Sequence, residues 1–380
     1  IQVDTIVISD HNEAVLHLKQ GRLHRLHYQG EQLRLAEFSL RKDDSTLRGQ
    51  GTLRSNRDYL IDAHLQADLR FEGYAPITAT AQCRGPLNAL QLTADMLSPQ
   101  SMHLEGRLLE ILGTTSWSAK LQGAELNPDA FHPSWPTQSF RQVAIQGVGS
   151  LEAYTLTVDA ATGLPGLTAP VALRAEIHGN GQGLQCPQLQ LSHAATALHV
   201  QGDWQWLPHL AWQAEIQATD LNPALFFPDW PGRFSGKLIT RGQWRDTLEG
   251  TLHLTDLQGS LRHMPLSGHG EMQFHGSEVQ IPAMILKSGG STVSLQGSAT
   301  DRVEFLLSLH SGNVGEIWPG ASGLLDLKGR VHGTVQRPAF TLQLGADRLR
   351  VDQTSFDRLK VTGQGVLAAD GEFQVDAQLN

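Results

Sequence analysis

Seventeen histidines are the residues of this 380-residue chain that most invite a chemical role, since neutral imidazole is the commonest metal ligand. His24-x-x-His27 and the trio His263, His269 and His275 are the nearest groupings. Neither comes with a His-Glu-x-x-His pattern, paired cysteines or a carboxylate at ligand spacing, so no metal site is expected. On strands, the trio falls on solvent-facing positions of one hairpin. A serine nucleophile would need a Gly-x-Ser-x-Gly elbow, and none is present. Gly179-Asn-Gly-Gln-Gly183 lacks the Lys-Ser/Thr of a phosphate loop and reads as a hairpin tip. Asp43-Asp44 is an isolated acidic pair in a turn. A glycosidase brings distant carboxylates together, but no two acids here share a setting. The expectation is a chain that is not an enzyme and has no cofactor.

What does stand out is repetition. Leu47-Arg-Gly-Gln-Gly51, Leu104-Glu-Gly106, Val200-Gln-Gly202 and Leu295-Gln-Gly297 each close a strand-like stretch on glycine, the last two intervals being 96 and 95 residues. Trp117-Ser-Ala-Lys-Leu-Gln-Gly-Ala-Glu-Leu-Asn-Pro128 recurs 95 residues later as Trp212-Gln-Ala-Glu-Ile-Gln-Ala-Thr-Asp-Leu-Asn-Pro223. Each copy runs into Pro-x-Trp-Pro, at Pro133 to Pro136 and Pro228 to Pro231. A fainter third copy runs from Phe305 through Asn313-Val314 to Trp318-Pro319. Such a chain is expected to be one continuous repetitive β body over 1–380, with approximate repeats 1–106, 107–202, 203–297 and 298–380.

Bulk composition narrows the function. Hydrophobic residues are 40% and charged residues 18%, with 38 Gly and 17 Pro to end many short strands. A formal net charge of −9 and the absence of a basic stripe exclude nucleic acid as a partner. Cys83 and Cys186 form no CxxC and read as two unrelated small buried residues. No run of about 18 apolar residues exists to span a bilayer as a helix. The chain starts and stops inside strand patterns, as a fragment of a longer protein does.

The dominant period is two. Trp212, Ala214, Ile216 and Ala218 alternate with Gln213, Glu215 and Gln217; Leu252 and Leu254 alternate with Thr251, His253 and Thr255. Val303, Phe305, Leu307 and Leu309, then Phe340, Leu342 and Leu344, keep the same spacing. Alternation sets one face of each strand on something apolar and the other in water. Turn residues every 8 to 14 positions join the strands as hairpins. The expected fold is all-β: an elongated antiparallel sheet with solenoid-like repeats. Further strands are expected to begin near Gly147, Gly242 and Gly333.

Helical signal is confined to short inserts. Asn222 can cap a turn that Pro223 begins and Pro228 ends, and Asn127-Pro128 does the same. Trp135, Phe226, Phe227, Trp230 and Trp318 sit in these inserts. They either plug the apolar face or touch a lipid chain held there.

The stretch from Trp212 through Asp220-Leu-Asn-Pro223 to Phe226-Phe-Pro-Asp-Trp-Pro-Gly232-Arg-Phe-Ser-Gly-Lys-Leu238 resembles the TamB family of AsmA-like proteins of diderm bacteria. The copy at Trp117 to Pro136 matches more loosely, lacking the Gly-Arg-x-x-Gly that should follow. The third keeps Trp318-Pro-Gly-Ala-Ser-Gly323 but has lost Asn-Pro. The resemblance implies a periplasmic protein tethered to the inner membrane by a segment absent from this chain. It implies a sheet curled into a U-shaped, taco-like apolar groove, phospholipid as a partner, and outer-membrane biogenesis. It also implies a TamA-like outer-membrane barrel partner, engaged through regions outside this chain.

Three functions are then ranked. The first is a periplasmic scaffold that binds or conducts phospholipid acyl chains, with the alternating apolar residues above lining the groove. The second is a chaperone-like scaffold that pairs strands with outer-membrane protein clients. The third, well behind, is a carbohydrate-directed β-rich enzyme or adhesin, whose repeats should be far shorter than 95 residues.

Overall fold

The computed structural model describes residues 2–10, 13–55, 59–111, 113–150, 152–163, 169–225, 230–316, 318, 320–351, 353–367 and 373–379, with side chains described within 27–366 except Leu225. Two compact units divide the chain, Ile1–Gly181 and Gln182–Asn380. The division falls within the second expected repeat.

Unit 1 begins with β1 (Gln2–Asp10), β2 (Glu13–Gln29), β3 (Gln32–Lys42), β4 (Ser45–Arg54), β5 (Leu60–Leu69) and β6 (Ile77–Pro86). It continues with β7 (Ala89–Ser98), β8 (Met102–Leu109), β9 (Ser116–Leu126), β10 (Phe140–Ser150), β11 (Ala153–Thr162) and β12 (Val171–Asn180). Unit 2 begins with β13 (Gly183–His193), β14 (Thr196–Gln205), β15 (Leu210–Leu221), β16 (Gly232–Trp244), β17 (Leu248–Leu261) and β18 (Met264–His275). Then come β19 (Glu278–Ser288), β20 (Ser291–Ala299), β21 (Arg302–Ser311), β22 (Ala321–Thr334), β23 (Arg337–Val351), β24 (Thr354–Leu367) and β25 (Phe373–Leu379).

Within each unit, every strand pairs antiparallel with its neighbours in sequence, as hairpin connections dictate. Each unit is an open sheet: among the described residues, its first and last strands do not pair with each other. The all-β expectation holds. Among the described residues, helix is limited to 3-10 turns at Pro128–Ala130, Pro223–Leu225 and Val314–Glu316.

Those turns recur every six strands, after β9, β15 and β21. In the second, Asn222 Oδ1 accepts the Ala224 N–H at 3.0 Å, as its sequence position suggested. The third lacks proline yet folds alike, with Asn313 Oδ1 accepting the Gly315 N–H at 3.1 Å. A capping asparagine is enough to bend the chain there, because it satisfies an orphan N–H that the short turn cannot.

The glycine landmarks differ from expectation. Gly51, Gly106, Gly202 and Gly297 lie inside β4, β8, β14 and β20 rather than at strand ends. Gly147, Gly242 and Gly333 lie towards the ends of β10, β16 and β22, whose first residues are Phe140, Gly232 and Ala321. The physical reason is packing across strands. A Cβ at Gly147 would lie 2.7 Å from the Trp117 ring, and one at Gly242 would collide with the Trp212 ring. Glycine clears space for an aromatic side chain that lies flat across the neighbouring strand.

Candidate functional site

The candidate site is the apolar face of each sheet. Strand pairing carries it from strand to strand without a break. In unit 2, Val200 pairs with Ile216, Ile216 with Leu238, Leu238 with Leu254 and Leu254 with Gly270. The row continues through Met284, Leu295, Leu307 and Gly329 to Leu342. In unit 1 the corresponding row joins Leu35, Gly51, Ala63, Cys83 and Leu92, then Gly106, Ala119, Gly147, Leu156 and Ile177. Cys83 sits within this row. Cys186 sits in unit 2 on the apolar face, paired with Gly202 beside Ala214. Both take the place of a small apolar residue; burial pushes the Cys83 thiol up from its ordinary pKa.

The pairing puts all thirteen groove candidates on one face of unit 2. Trp212, Ala214, Ile216 and Ala218 line β15, and Leu252 and Leu254 follow on β17 through Thr240 and Leu238. Val303, Phe305, Leu307 and Leu309 on β21 continue through β22 to Phe340, Leu342 and Leu344 on β23. The pattern missed Met284, which shares a face with Ile281 because a bulge between them shifts the alternation. It also missed Leu238, Leu295 and Val331. Glycines on the apolar face, such as Gly270 and Gly329, dilute the hydrophobic signal there.

This face is not sealed. Only ten hydrophobic residues are buried among the described ones, including Leu90, Met102 and Val143 in unit 1 and Ala214, Ile281 and Ala346 in unit 2. Leu307 is 39% exposed, and the other candidates except Ala214 are half-buried. A half-buried leucine keeps on the order of 1 kcal/mol of transfer free energy in reserve for a partner. The face is therefore unfinished as a core.

The inserts sit at one rim of each sheet, where odd-numbered strands turn into even-numbered ones. In unit 1, the Phe131 carbonyl accepts the Ala75 N–H at 2.8 Å, and Tyr74 packs on His132 and Trp135 at 4.9 and 6.0 Å between ring centroids. In unit 2, Glu316 Oε2 accepts the Gly290 N–H and the Ser291 hydroxyl, both at 2.9 Å. Ser291 Oγ also lies 2.8 Å from that of fully buried Ser311. Trp135, Trp230 and Trp318 are exposed, and Trp230 lies 4.2 Å beneath the Arg262 guanidinium. Among the described residues of the third insert, Val314 is buried and Trp318 is exposed. Phe226 and Phe227 lie outside the described residues.

Of the histidine groupings, the His24 side chain lies outside the described residues and His27 is exposed. His263, His269 and His275 are exposed, and His275 Nδ1 lies 3.0 Å from Glu249. Among the described residues, no group of three or more His, Cys, Asp or Glu is placed to hold a metal ion. No helix there is long and apolar enough to cross a membrane, which leaves membrane-spanning strands untouched as a question.

With that geometry in view, comparison with known proteins is specific. Residues 4–380 match the family described as TamB, N-terminal domain. The chain is 28% identical over 156 residues to the translocation and assembly module subunit TamB of Haemophilus influenzae, covering 40% of this chain. It spans only 11% of that relative's length. No solved structure matches. With the family matched over nearly the whole chain, the chain belongs to the TamB family, through its N-terminal domain.

Proposed function

We propose that this chain is part of a periplasmic scaffold that carries phospholipid acyl chains along its apolar face, within a module serving outer-membrane biogenesis. Membership of the TamB family supports the module, since a relative is named as a translocation and assembly subunit. The observation that carries the lipid reading is the unbroken row from Val200 through Ile216, Leu254 and Leu307 to Leu342, left half-covered by the protein itself. An acyl chain gains about 0.8 kcal/mol per CH₂ on leaving water. A continuous apolar row holds such a chain without directional contacts, so no headgroup site is required. On this reading each sheet curls over its apolar face as a U-shaped groove, and the chain is a scaffold with no catalytic role. A tether to the inner membrane and a TamA-like barrel partner at the outer membrane belong to other parts of the protein.

The test is to purify the chain without detergent, extract it with organic solvent and identify bound lipid by mass spectrometry. Phospholipid at several molecules per chain is expected, reduced at least several-fold in Ile216→Asp and unchanged in Gln217→Asp. Equal lipid content in the two folded variants sinks the groove. A lipid-free protein that also refuses added lipid transfers the case to strand pairing with protein clients.

A further inference from the structure

We infer that the polar face of unit 2 is a binding surface in its own right, holding an uncharged glycan chain laid across β14 to β19. Asp203, Gln213, Arg241, Thr251, Gln273 and Gln280 form a row in which each pairs directly with the next. They alternate with apolar-face residues such as Trp212, and so point to the opposite side of the sheet.

This row is not flat. A depression of ≈ 680 Å³ opens along it at the strand ends, lined by Gln213, Arg241, Thr251, Gln273 and Gln280 and reached also by Trp212, Phe274 and Val279 of the alternating set. A second depression, of ≈ 380 Å³, shares Gln213 and Arg241 with the first. A third, of ≈ 370 Å³, shares Gln201 and Glu215 with the second, so the three adjoin.

The hydrogen bonding along the row is incomplete. Thr251 Oγ1 is shut off from solvent and has no partner among the described residues. The Gln213 and Gln280 carboxamides have no hydrogen-bond partner among the described residues, and the exposed Arg241 guanidinium has no carboxylate there. Gln273 donates to Glu271 at 2.8 Å and keeps its carbonyl oxygen as an acceptor.

The chemistry selects the ligand. A carboxamide both donates and accepts, which suits sugar hydroxyls that also do both. Strands repeat every ~4.8 Å across a sheet, close to the length of one pyranose in an extended chain. An extended peptide advances ~3.4 Å per residue and drifts out of step with such rungs. A polyanion meets Asp203, Glu215 and Glu249 on a chain of net charge −9.

Calorimetric titration of the whole chain with chitohexaose and cellohexaose, both uncharged, tests the assignment. Saturable binding is expected, weakening at least tenfold in Gln213→Ala/Gln273→Ala and unchanged in Gln343→Ala, an exposed glutamine of β23 away from the row. Disaccharides should bind far more weakly, because they span one or two rungs. Absence of saturable binding overturns the assignment, as does equal affinity in all variants or tighter binding of polyphosphate of matched length.

Discussion

The indole of Trp212 lies over Gly242, its direct partner on β16, closely enough that a single methyl group at position 242 has no room. The ring is held there by its own N–H, which donates to Thr240 Oγ1 at 3.2 Å. Gly345, on β23, makes the contrast, since a Cβ there meets nothing within 4 Å. Gly242→Ala should destabilise unit 2 by about 1–3 kcal/mol through overpacking. Gly345→Ala should be neutral or stabilise by up to about 1 kcal/mol through the unfolded chain. Urea unfolding of the two variants side by side measures the difference; equal midpoints would refute the ring-over-glycine account.

The third insert hangs on one carboxylate. Glu316→Ala strands the Gly290 N–H and removes a partner from Ser291, which should cost about 1–3 kcal/mol. Ser311→Ala costs less, because Ser291 still donates to Glu316. Limited proteolysis should cut near residues 312–320 faster in Glu316→Ala, with little change in Ser311→Ala. Cutting at one rate in both variants would mean that the carboxylate does not hold the insert.

Of the three asparagines that precede the turns, two should matter more than the other. Asn222→Ala and Asn313→Ala each remove a side-chain acceptor from a backbone N–H and should cost about 1 kcal/mol. The Asn127 side chain makes no cap bond, so Asn127→Ala should cost only a few tenths of a kcal/mol at its turn. Thermal unfolding ranks the three, and a cost at Asn127 as large as at Asn222 would contradict the geometry.

Stability should also depend on pH through the polar face. Asp95, bonded to His103 Nδ1 at 2.7 Å, holds that imidazole above its ordinary pKa, with Glu105 adding to the effect. A raised pKa means that the folded state binds the proton more tightly. The contribution is therefore complete below the unfolded value of about 6.5 and disappears as pH rises through the folded value. Glu125, bonded to Ser139, and Glu304, bonded to Arg330, shift the other way, so their contributions hold above about 4.5 and fade in acid. Asp95→Asn should lower the melting temperature at pH 5.5 and leave it nearly unchanged at pH 8.5. A uniform drop across that range would remove His103 from the account.

Strand direction and face were legible wherever apolar and polar residues simply alternate, as along Trp212 to Ala218 and Phe340 to Leu344. The Asn222 turn was legible because its cap and its proline are local signals. Elsewhere the pattern misled for identifiable reasons. Glycine reads as punctuation in a sequence, yet Gly106, Gly202 and Gly297 lie mid-strand, where a neighbouring strand decides what fits. Bulges such as that between Ile281 and Met284 change which residues face together without changing composition. The polar row from Asp203 to Gln280 was invisible for a further reason. Its members are up to 77 positions apart in sequence, and only the register of five strand pairs aligns them.

The six-strand spacing of the inserts carries a rule about growth. Antiparallel strands reverse direction at every turn, so a chain returns to the same rim only after an even number of them. Gaining or losing a single strand would send every later insert to the opposite rim and turn each downstream hairpin end for end. Adding a hairpin, or a whole six-strand block, preserves the arrangement. Length in this architecture is thus quantised by parity: descendants can become longer or shorter by pairs of strands, and a lone strand is the change the fold cannot absorb.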